Sequence, residues 1–334
     1  MFPLVLGWAM NTAIGTKIRA KKARMPLGSS VGRVGFGVMA AVAIAGGVAL
    51  AKVLPLTKID WQGLAKGRSP AAVVLQGMGY RLAKPYQILV LGIDREPNAP
   101  PFYGRSDTIL LVRVDPKTGE MRGLSIPRDT QTWIAGYGTV KINAANVYGG
   151  SRLAAQTVSE TLGNVQVDRV VRLETEAFVA LIDAVGGVKV TVTKPLQYRD
   201  RTQNLEIDLQ PGPQILNGRQ AEGFARFRHD EEGDIGRMGR QQTLLRALKA
   251  KVQGIPWWQW PELLTAIQPH LDTDLTTAEF AALLAFLLDA QGKNIPLESL
   301  GGRSSADYEF EASYWLTDDT AIQQAIVGKF DLHR

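Results

Sequence analysis

The chain has 334 residues, 45 % of them hydrophobic, and no cysteine. A sizeable core is therefore available, while disulfides, thiolate metal sites and thiol catalysis are excluded. The formal charge of +6 is unevenly placed, because residues 1–59 carry eight Lys/Arg and no carboxylate, leaving 30 basic against 32 acidic residues in 60–334. The body is slightly acidic, so a sequence pI of 9.4 lends little support to a nucleic-acid partner.

At the N-terminus, Val34–Ala51 is an uncharged run of 18 residues rich in Ala, Val and Gly. At about 1.5 Å per residue it is just long enough to cross a bilayer core. Basic residues cluster before it, at Lys17, Arg19, Lys21, Lys22, Arg24 and Arg33, which places the N-terminus in the cytoplasm and the body outside. The expected organisation is a cytoplasmic basic tail over 1–33, one transmembrane helix over 34–52, a juxtamembrane connector over 53–86 and an extracytoplasmic catalytic domain over 87–334. Two alternatives for the run are a buried core helix and a cleaved signal peptide ending at the small-residue box Ala49-Leu50-Ala51. Residues 1–16 receive no role.

Gln87–Asp94 is a continuous apolar run ending in Gly-x-Asp, as in a buried strand. Thr108–Asp115 and Glu120–Ile126 read as two more strands about a Pro116-Lys117-Thr118-Gly119 turn. Ser151–Leu162 and Glu174–Val185 have helical spacing, the second stopped by Gly186-Gly187. Short strands are expected at Arg169–Leu173, Val188–Val192 and Leu205–Leu209, Asn217 is placed to cap a short helix through Gly223, and Phe224–Arg228 alternates as a further strand. Arg237–Val252 is an amphipathic helix with the stripe Leu244, Leu245, Leu248 and Val252. Helices follow at Pro261–Leu271, Thr276–Ala290 and Asp318–Phe330. Alternating strands and helices give an α/β fold: a central mixed β-sheet sandwiched by helices, following the one transmembrane helix.

Charged residues gather where these strands run out into loops. Asp94 closes one strand, Arg105 and Asp107 open the next, and Arg128 follows the third. Arg226, Arg228 and Arg237 come later, with Gln241 one helical turn beyond Arg237. Active-site groups of α/β sheets collect at strand ends. Asp side chains together with phosphate oxygens suffice for Mg²⁺, and arginine forks bind phosphate oxygens in pairs. The ligand this set suits is a metal-bound, multiply charged phosphate. Each group has an ordinary alternative: turn-capping for the aspartates, a surface ion pair for Arg128-Asp129, solvated faces for the other arginines, and a structural role for His229.

The order of the motifs resembles the LytR–CpsA–Psr family of cell-envelope phosphotransferases. The resemblance runs from about Gln87 to Val252, through Leu89–Asp94, Arg105–Thr108, Ser125–Asp129, Lys141–Ala145, Gly186-Gly187-Val188, Gly212–Gln220, Arg226–Asp230 and Asp234–Gln242. It implies transfer of a glycan phosphate from a polyprenyl-pyrophosphate carrier to a cell-wall acceptor, typically peptidoglycan. The ion implied is Mg²⁺, with Mn²⁺ as the substitute. By resemblance, Asp94 and Asp107 hold the metal, and Arg105, Arg128, Arg226, Arg228, Arg237 and Gln241 bind the pyrophosphate. Arg128 and Asp234 are the catalytic candidates, Asp234 as a base or as an orienter of Arg237. The lipid is expected in an apolar tunnel walled by Ser151–Leu162, Glu174–Val185 or Thr276–Ala290, with Phe178, Leu181, Phe280 and Leu284 facing it unless they fill an ordinary core. The membrane is the third partner, and no nucleic acid is expected. The competing readings are a lipid-pyrophosphate hydrolase, a membrane-bound transcriptional attenuator and a non-catalytic carrier-binding module. The basic tail shows no helix-turn-helix pattern, which weighs against the attenuator.

Overall fold

A computed structural model of the protein describes residues 69–95, 98–200, 205–228, 233–256, 259–289, 296–306 and 308–329. The expected basic tail and transmembrane helix lie outside these residues, as do His229 and Asp230. Among the described residues no helix is long and apolar enough to cross a membrane.

The sheet grows from three antiparallel strands, β1 (Tyr86–Arg95), β2 (Gly104–Asp115) and β3 (Glu120–Ser125). A hairpin of β4 (Gln131–Ile134) and β5 (Gly138–Lys141) follows, then a short turn of 3-10 helix at Ile142–Ala144 and the helix α1 (Ala145–Thr161). Strand β6 (Arg169–Glu174) lies parallel to β1. Later in the chain, β11 (Leu271–Thr273) and β12 (Leu297–Ser299) complete a six-stranded sheet in the order β11-β6-β1-β2-β3-β12. Pairing is antiparallel for β11 with β6 and parallel for β12 with β3, so the sheet is mixed, as the sequence indicates.

Successive residues of β1 serve opposite faces. Leu89, Leu91 and Ile93 pack with Ile109, Leu111, Leu124 and Ile126 beneath α1, through Ala154, Val158 and Leu162. Ile88 and Val90 join Leu110, Val112 and Val171 on the other face. That face is covered by α2 (Thr175–Ala184), α3 (Gly218–Arg226), α4 (Gly233–Gln253) and α5 (Trp260–Ile267). The small pairs β7 (Val188–Val192) with β10 (Gly212–Leu216), and β8 (Leu196–Asp200) with β9 (Leu205–Leu209), pack into the same layer.

The structure departs from the sequence expectation at several points. Phe224–Arg228 is not a strand. It is the end of α3, which Asn217 and Gln220 start with reciprocal side-chain-to-backbone bonds at 2.9 and 3.0 Å. The Phe-Ala-Phe alternation arises because Phe224 sits on the buried helical face and Phe227 is the extended residue after it. The first large helix begins at Ala145 rather than Ser151 and kinks at Gly149-Gly150, where Gly150 has φ 64°. The connector's Ala71–Leu75, where the sequence leaves room for a short element, is part of a helix at Pro70–Gly77 that packs on the helix Thr277–Asp289 through Ala72 and Leu75.

Candidate active site

At one end of β1 and β2 the ladder shifts register between Gly92 and Ile93: Gly92 faces Thr108, Ile93 faces Ser106, and Asp107 is the extra residue. Such a bulge re-aims side chains. Asp107 and Thr108 are consecutive, yet both line a cavity of about 1040 Å³. Across from Thr108 a side chain would not fit, since a Cβ on Gly92 would come 2.9 Å from the Thr108 Cβ. Gly92 therefore keeps the floor of the cavity open beside Asp94.

Arg128 leaves the sheet just after β3 and donates from Nη1 to Asp107 Oδ2 at 2.6 Å. Its loop is held from below. Asn143 donates its backbone N–H to the Arg128 carbonyl at 3.3 Å and accepts Ser106 Oγ at 3.4 Å. The buried Asn143 of the Lys141–Ala145 motif thus ties the arginine loop to the bulged strand. Burial pushes the Asp107 carboxyl above its ordinary range. The Arg128 charge opposes that shift, and the neighbouring Asp94 carboxylate adds to it.

The far side of the mouth is built by α3 and α4. Arg226 ends α3 and pairs with Glu222 Oε1 at 3.0 Å, one turn back. The second Glu222 oxygen takes Arg219 at 2.9 Å, and Arg219 reaches Glu176 on α2 at 2.7 Å. Gly218 lets α3 approach α2 closely: its N–H donates to Asp183 Oδ1 at 2.7 Å, and a Cβ there would collide with the Val179 carbonyl oxygen. From α4, Arg240 donates to the Phe227 carbonyl at 2.7 Å and Gln241 to the Ala225 carbonyl at 3.3 Å, fixing the segment that carries Arg226 and Arg228.

The cavity changes character along α4. Arg237, Gln241, Leu244, Leu245 and Leu248 all line it, and their spacing is that of one helix face. The charged mouth holds Asp94, Asp107, Arg128, Arg226, Arg228 and Arg237, and the interior is walled by Leu173, Ala177, Phe178, Leu181 and the α4 leucines.

Of the residues singled out from sequence, the structure gathers Asp94, Asp107, Arg128, Arg226, Arg228, Arg237, Gln241, Phe178 and Leu181 around this one cavity. Arg105 is opposite Asp94 in the β1–β2 register but is exposed and not part of the lining. Asp234 lies in the first turn of α4, three residues before Arg237. Phe280 and Leu284 are placed elsewhere: both are buried, and Leu284 packs against Ala72 and Leu75. The helix that carries them is apolar on two sides, with Leu284 and Leu288 against Pro70–Gly77 and Leu283 in the main core, and α1, another of the proposed walls, covers the opposite face of the sheet.

Two lining carboxylates were not singled out from sequence. Glu222 falls in the short helix expected from Asn217 through Gly223, but a strand beginning at Phe224 separates it from Arg226, and their spacing of four has meaning only when one helix carries both, as Gly218–Arg226 does. Glu174, at the end of β6, is 3 % exposed and accepts the Phe102 N–H at 2.7 Å. His270 Nδ1 at 3.4 Å and Arg95 at 3.7 Å also face it. Phe102 has φ 58°, rare for a non-glycine residue. It is held there by Glu174, by Asn146 on its carbonyl at 3.0 Å and by the Arg172 guanidinium 5.2 Å from its ring centroid. No local pattern announces partners so distant in sequence.

Asp94 and Asp107 fit a hard cation in one respect: they are neighbouring carboxylates at the mouth of an arginine-lined cavity. Among the described residues, no group of three or more His, Cys, Asp or Glu is arranged to hold an ion. A pair of carboxylates alone would leave the rest of a hard cation's shell to phosphate oxygens and water.

The LytR_cpsA_psr family model matches residues 64–327. Among curated proteins, the chain is 35 % identical over 197 residues to the polyisoprenyl-teichoic acid–peptidoglycan teichoic acid transferase TagU of Bacillus cereus, covering 58 % of this chain and 62 % of that one. It is 30 % identical over 205 residues to biofilm regulatory protein A of Streptococcus mutans, covering 58 % and 50 %. The chain thus spans about half to three-fifths of the length of these relatives. Among solved structures, B. subtilis TagV superposes with a TM-score of 0.55 at 28 % identity, covering 73 % of this chain and 94 % of that one. A structure of TagT bound to LI-WTA gives 0.51 at 27 % identity, covering 73 % and 88 %. With the family model matched over most of its length, the chain belongs to the LytR_cpsA_psr family.

Proposed function

We propose that this protein transfers a glycan phosphate from a polyprenyl-pyrophosphate carrier to a hydroxyl of the cell wall, with peptidoglycan as the acceptor. One observation carries the reading: a single cavity whose mouth is lined by two aspartates and four arginines and whose interior is apolar. That shape fits an amphiphile with a charged phosphate head and a hydrocarbon tail. The name of the B. cereus relative TagU describes a reaction of this kind.

In this reading the donor's pyrophosphate lies at Arg128, Arg226, Arg228 and Arg237, whose fixed charges need no reorganisation as negative charge moves to the leaving oxygen. Gln241 sits beside them. The acceptor hydroxyl forms a bond to the glycan-side phosphorus, the bond to the bridging oxygen breaks, and polyprenyl phosphate leaves. The acceptor's proton passes to a base, for which Asp234 is the candidate. Asp94 and Asp107 would hold Mg²⁺, which when bound neutralises phosphate charge. Phosphoryl transfer relies on positioning and charge rather than a protein nucleophile. The lipid tail runs along Leu244, Leu245 and Leu248 against Phe178 and Leu181. Residues 34–52 anchor the chain in the membrane, with the tail in the cytoplasm and this domain outside.

The test is turnover by the full chain in detergent, given a lipid-linked glycan donor with and without a wall acceptor. The expected products are acceptor-linked glycan phosphate and free polyprenyl phosphate, with chelator abolishing both. Release of the same lipid phosphate with water as the only acceptor would replace transfer by hydrolysis. Activity of a C-terminal reporter in the cytoplasm would overturn the orientation.

A further inference from the structure

Outside the mouth, a strip of aromatic and paired polar side chains leads away from Arg128, and the donor site makes no use of it. Asp129 accepts Lys141 Nζ at 2.7 Å and lies 3.7 Å from Arg128 Nε. The Lys141 ammonium is 5.8 Å from the ring centroid of Tyr314, which meets Phe310 edge-on at 5.2 Å. The Tyr314 segment is fastened to the arginine loop, because Trp315 donates its N–H to the Asp129 carbonyl at 2.9 Å and bridges Thr130.

The β4–β5 hairpin extends the strip. Gln131 pairs with Lys141, so the two share a face, and Trp133, two residues along, shares it too. The other face of the hairpin is occupied: Ile134 is fully buried and Thr132 Oγ1 lies 2.7 Å from Thr161 Oγ1 of α1. Trp133 is therefore turned outward and is 62 % exposed. A tryptophan in a short strand, with only Thr139 opposite it, fills no core.

We propose that Trp133, Lys141 and Tyr314 form the acceptor subsite, which holds the sugar rings of a glycan strand and presents one hydroxyl to the phosphorus at Arg128. A pyranose has an apolar C–H face and a rim of hydroxyls. Flat rings bordered by an Asp–Lys pair and Gln131 match both. The strip is continuous with the donor site through Arg128-Asp129, where an acceptor must arrive. This inference rests on the transfer reading and adds to it the place from which the acceptor approaches.

The experiment uses the full chain, the variants Trp133→Ala, Tyr314→Ala and Tyr314→Phe, and Tyr308→Ala as a control, a ring 91 % exposed and outside the strip. Transfer is measured against varied concentrations of soluble peptidoglycan fragments, and binding of the same fragments is followed calorimetrically without donor. Trp133→Ala and Tyr314→Ala are expected to raise the acceptor KM and the fragment Kd about tenfold each, equivalent to one lost contact of moderate strength. Donor KM and melting temperature should not move. Tyr314→Phe and Tyr308→Ala should behave as wild type. Transfer with acceptor KM unchanged in both alanine variants would overturn the subsite and leave the transfer reading intact. Fragment binding that is lost in the variants, in a protein that catalyses no transfer, would keep the subsite and sink the transfer reading. A wild-type chain that binds no fragment and shows an unsaturable acceptor dependence would overturn the subsite.

Discussion

The two faces of the central sheet are made by the same strands and end in opposite results. Beneath α1, Leu89, Leu91 and Ile93 interlock with Ile109, Leu111 and Ile126 as a closed core. On the other face, β1 runs from Ile88 and Val90 to Gly92 and Asp94, and there the layer opens into the cavity. The difference lies in a few positions near the strand ends: a glycine where the alternation calls for a large residue, and a bulge that turns Asp107 onto the same side as Thr108. A binding site is obtained by leaving out side chains on one face while the other carries the stability.

The largest effect expected from breaking this division is on turnover. Asp94→Ala and Asp107→Ala should each lower kcat by on the order of 10²–10³-fold, the cost of removing a group that organises transition-state charge. The melting temperature should stay near wild type, because both side chains line the mouth of the cavity rather than either core. A variant retaining near wild-type turnover at saturating donor would remove that residue from the site.

Next is a contrast between the faces. Leu91→Ala, at 1 % exposure in the closed core, should cost about 2–5 kcal/mol in denaturant unfolding. Phe178→Ala, on the cavity wall, should cost well under that, because part of its surface already faces open space. Its donor KM should rise instead. Equal stability losses would mean that the cavity is packed like the other face.

Gly92→Ala sharpens the point about the floor. The added methyl meets the Thr108 Cβ at 2.9 Å, so the strands must shift, at a cost of about 1–3 kcal/mol. Thr108→Ala in the same chain should recover part of that loss. A neutral Gly92→Ala would show that the floor has slack.

The smallest effect belongs to a contact on neither face's core. Glu279 starts the Thr277–Asp289 helix and accepts Arg169 Nε at 3.0 Å. Chiefly through that bond, its carboxyl is pulled down from 4.5 to about 2, against the opposing effect of burial. A depressed folded-state pKa contributes stability that is present above the unfolded value and lost as pH falls towards the folded one. Acid unfolding between pH 4.5 and about 2 should thus be less steep in Glu279→Gln than in wild type. Superimposable acid-unfolding curves would discard the contact.

The parts of this architecture legible in the sequence are those set by local periodicity. The three meander strands, the helix of Phe178 and Leu181 and the stripe on α4 all follow from spacing. What was misread depends on context. The segment of Arg226 and Arg228 looks extended because the helix that Asn217 starts is ended at Gly223 by its spacing, whereas it runs on to Arg226. Leu284 is apolar for a reason outside its own helix, the segment Pro70–Gly77 that packs over it. Glu174 is invisible because its partners Phe102, Arg95 and His270 are assembled by tertiary contact. The motifs carrying the family resemblance located the charged mouth, and the depth of the cavity became visible only with the fold.

The single face of α4 that runs from Arg237 through Gln241 to Leu248 has a consequence for which carriers the protein accepts. A helix is a rigid ruler, about 16 Å over the eleven steps between these twelve residues. Under the proposed reading, that ruler is read from its charged end. Shortening the hydrocarbon would vacate leucines at the far end without moving the phosphates relative to Arg128. Carrier length would then alter residence time and leave the reacting geometry alone, so one site could process donors whose tails differ while still choosing strictly at the head.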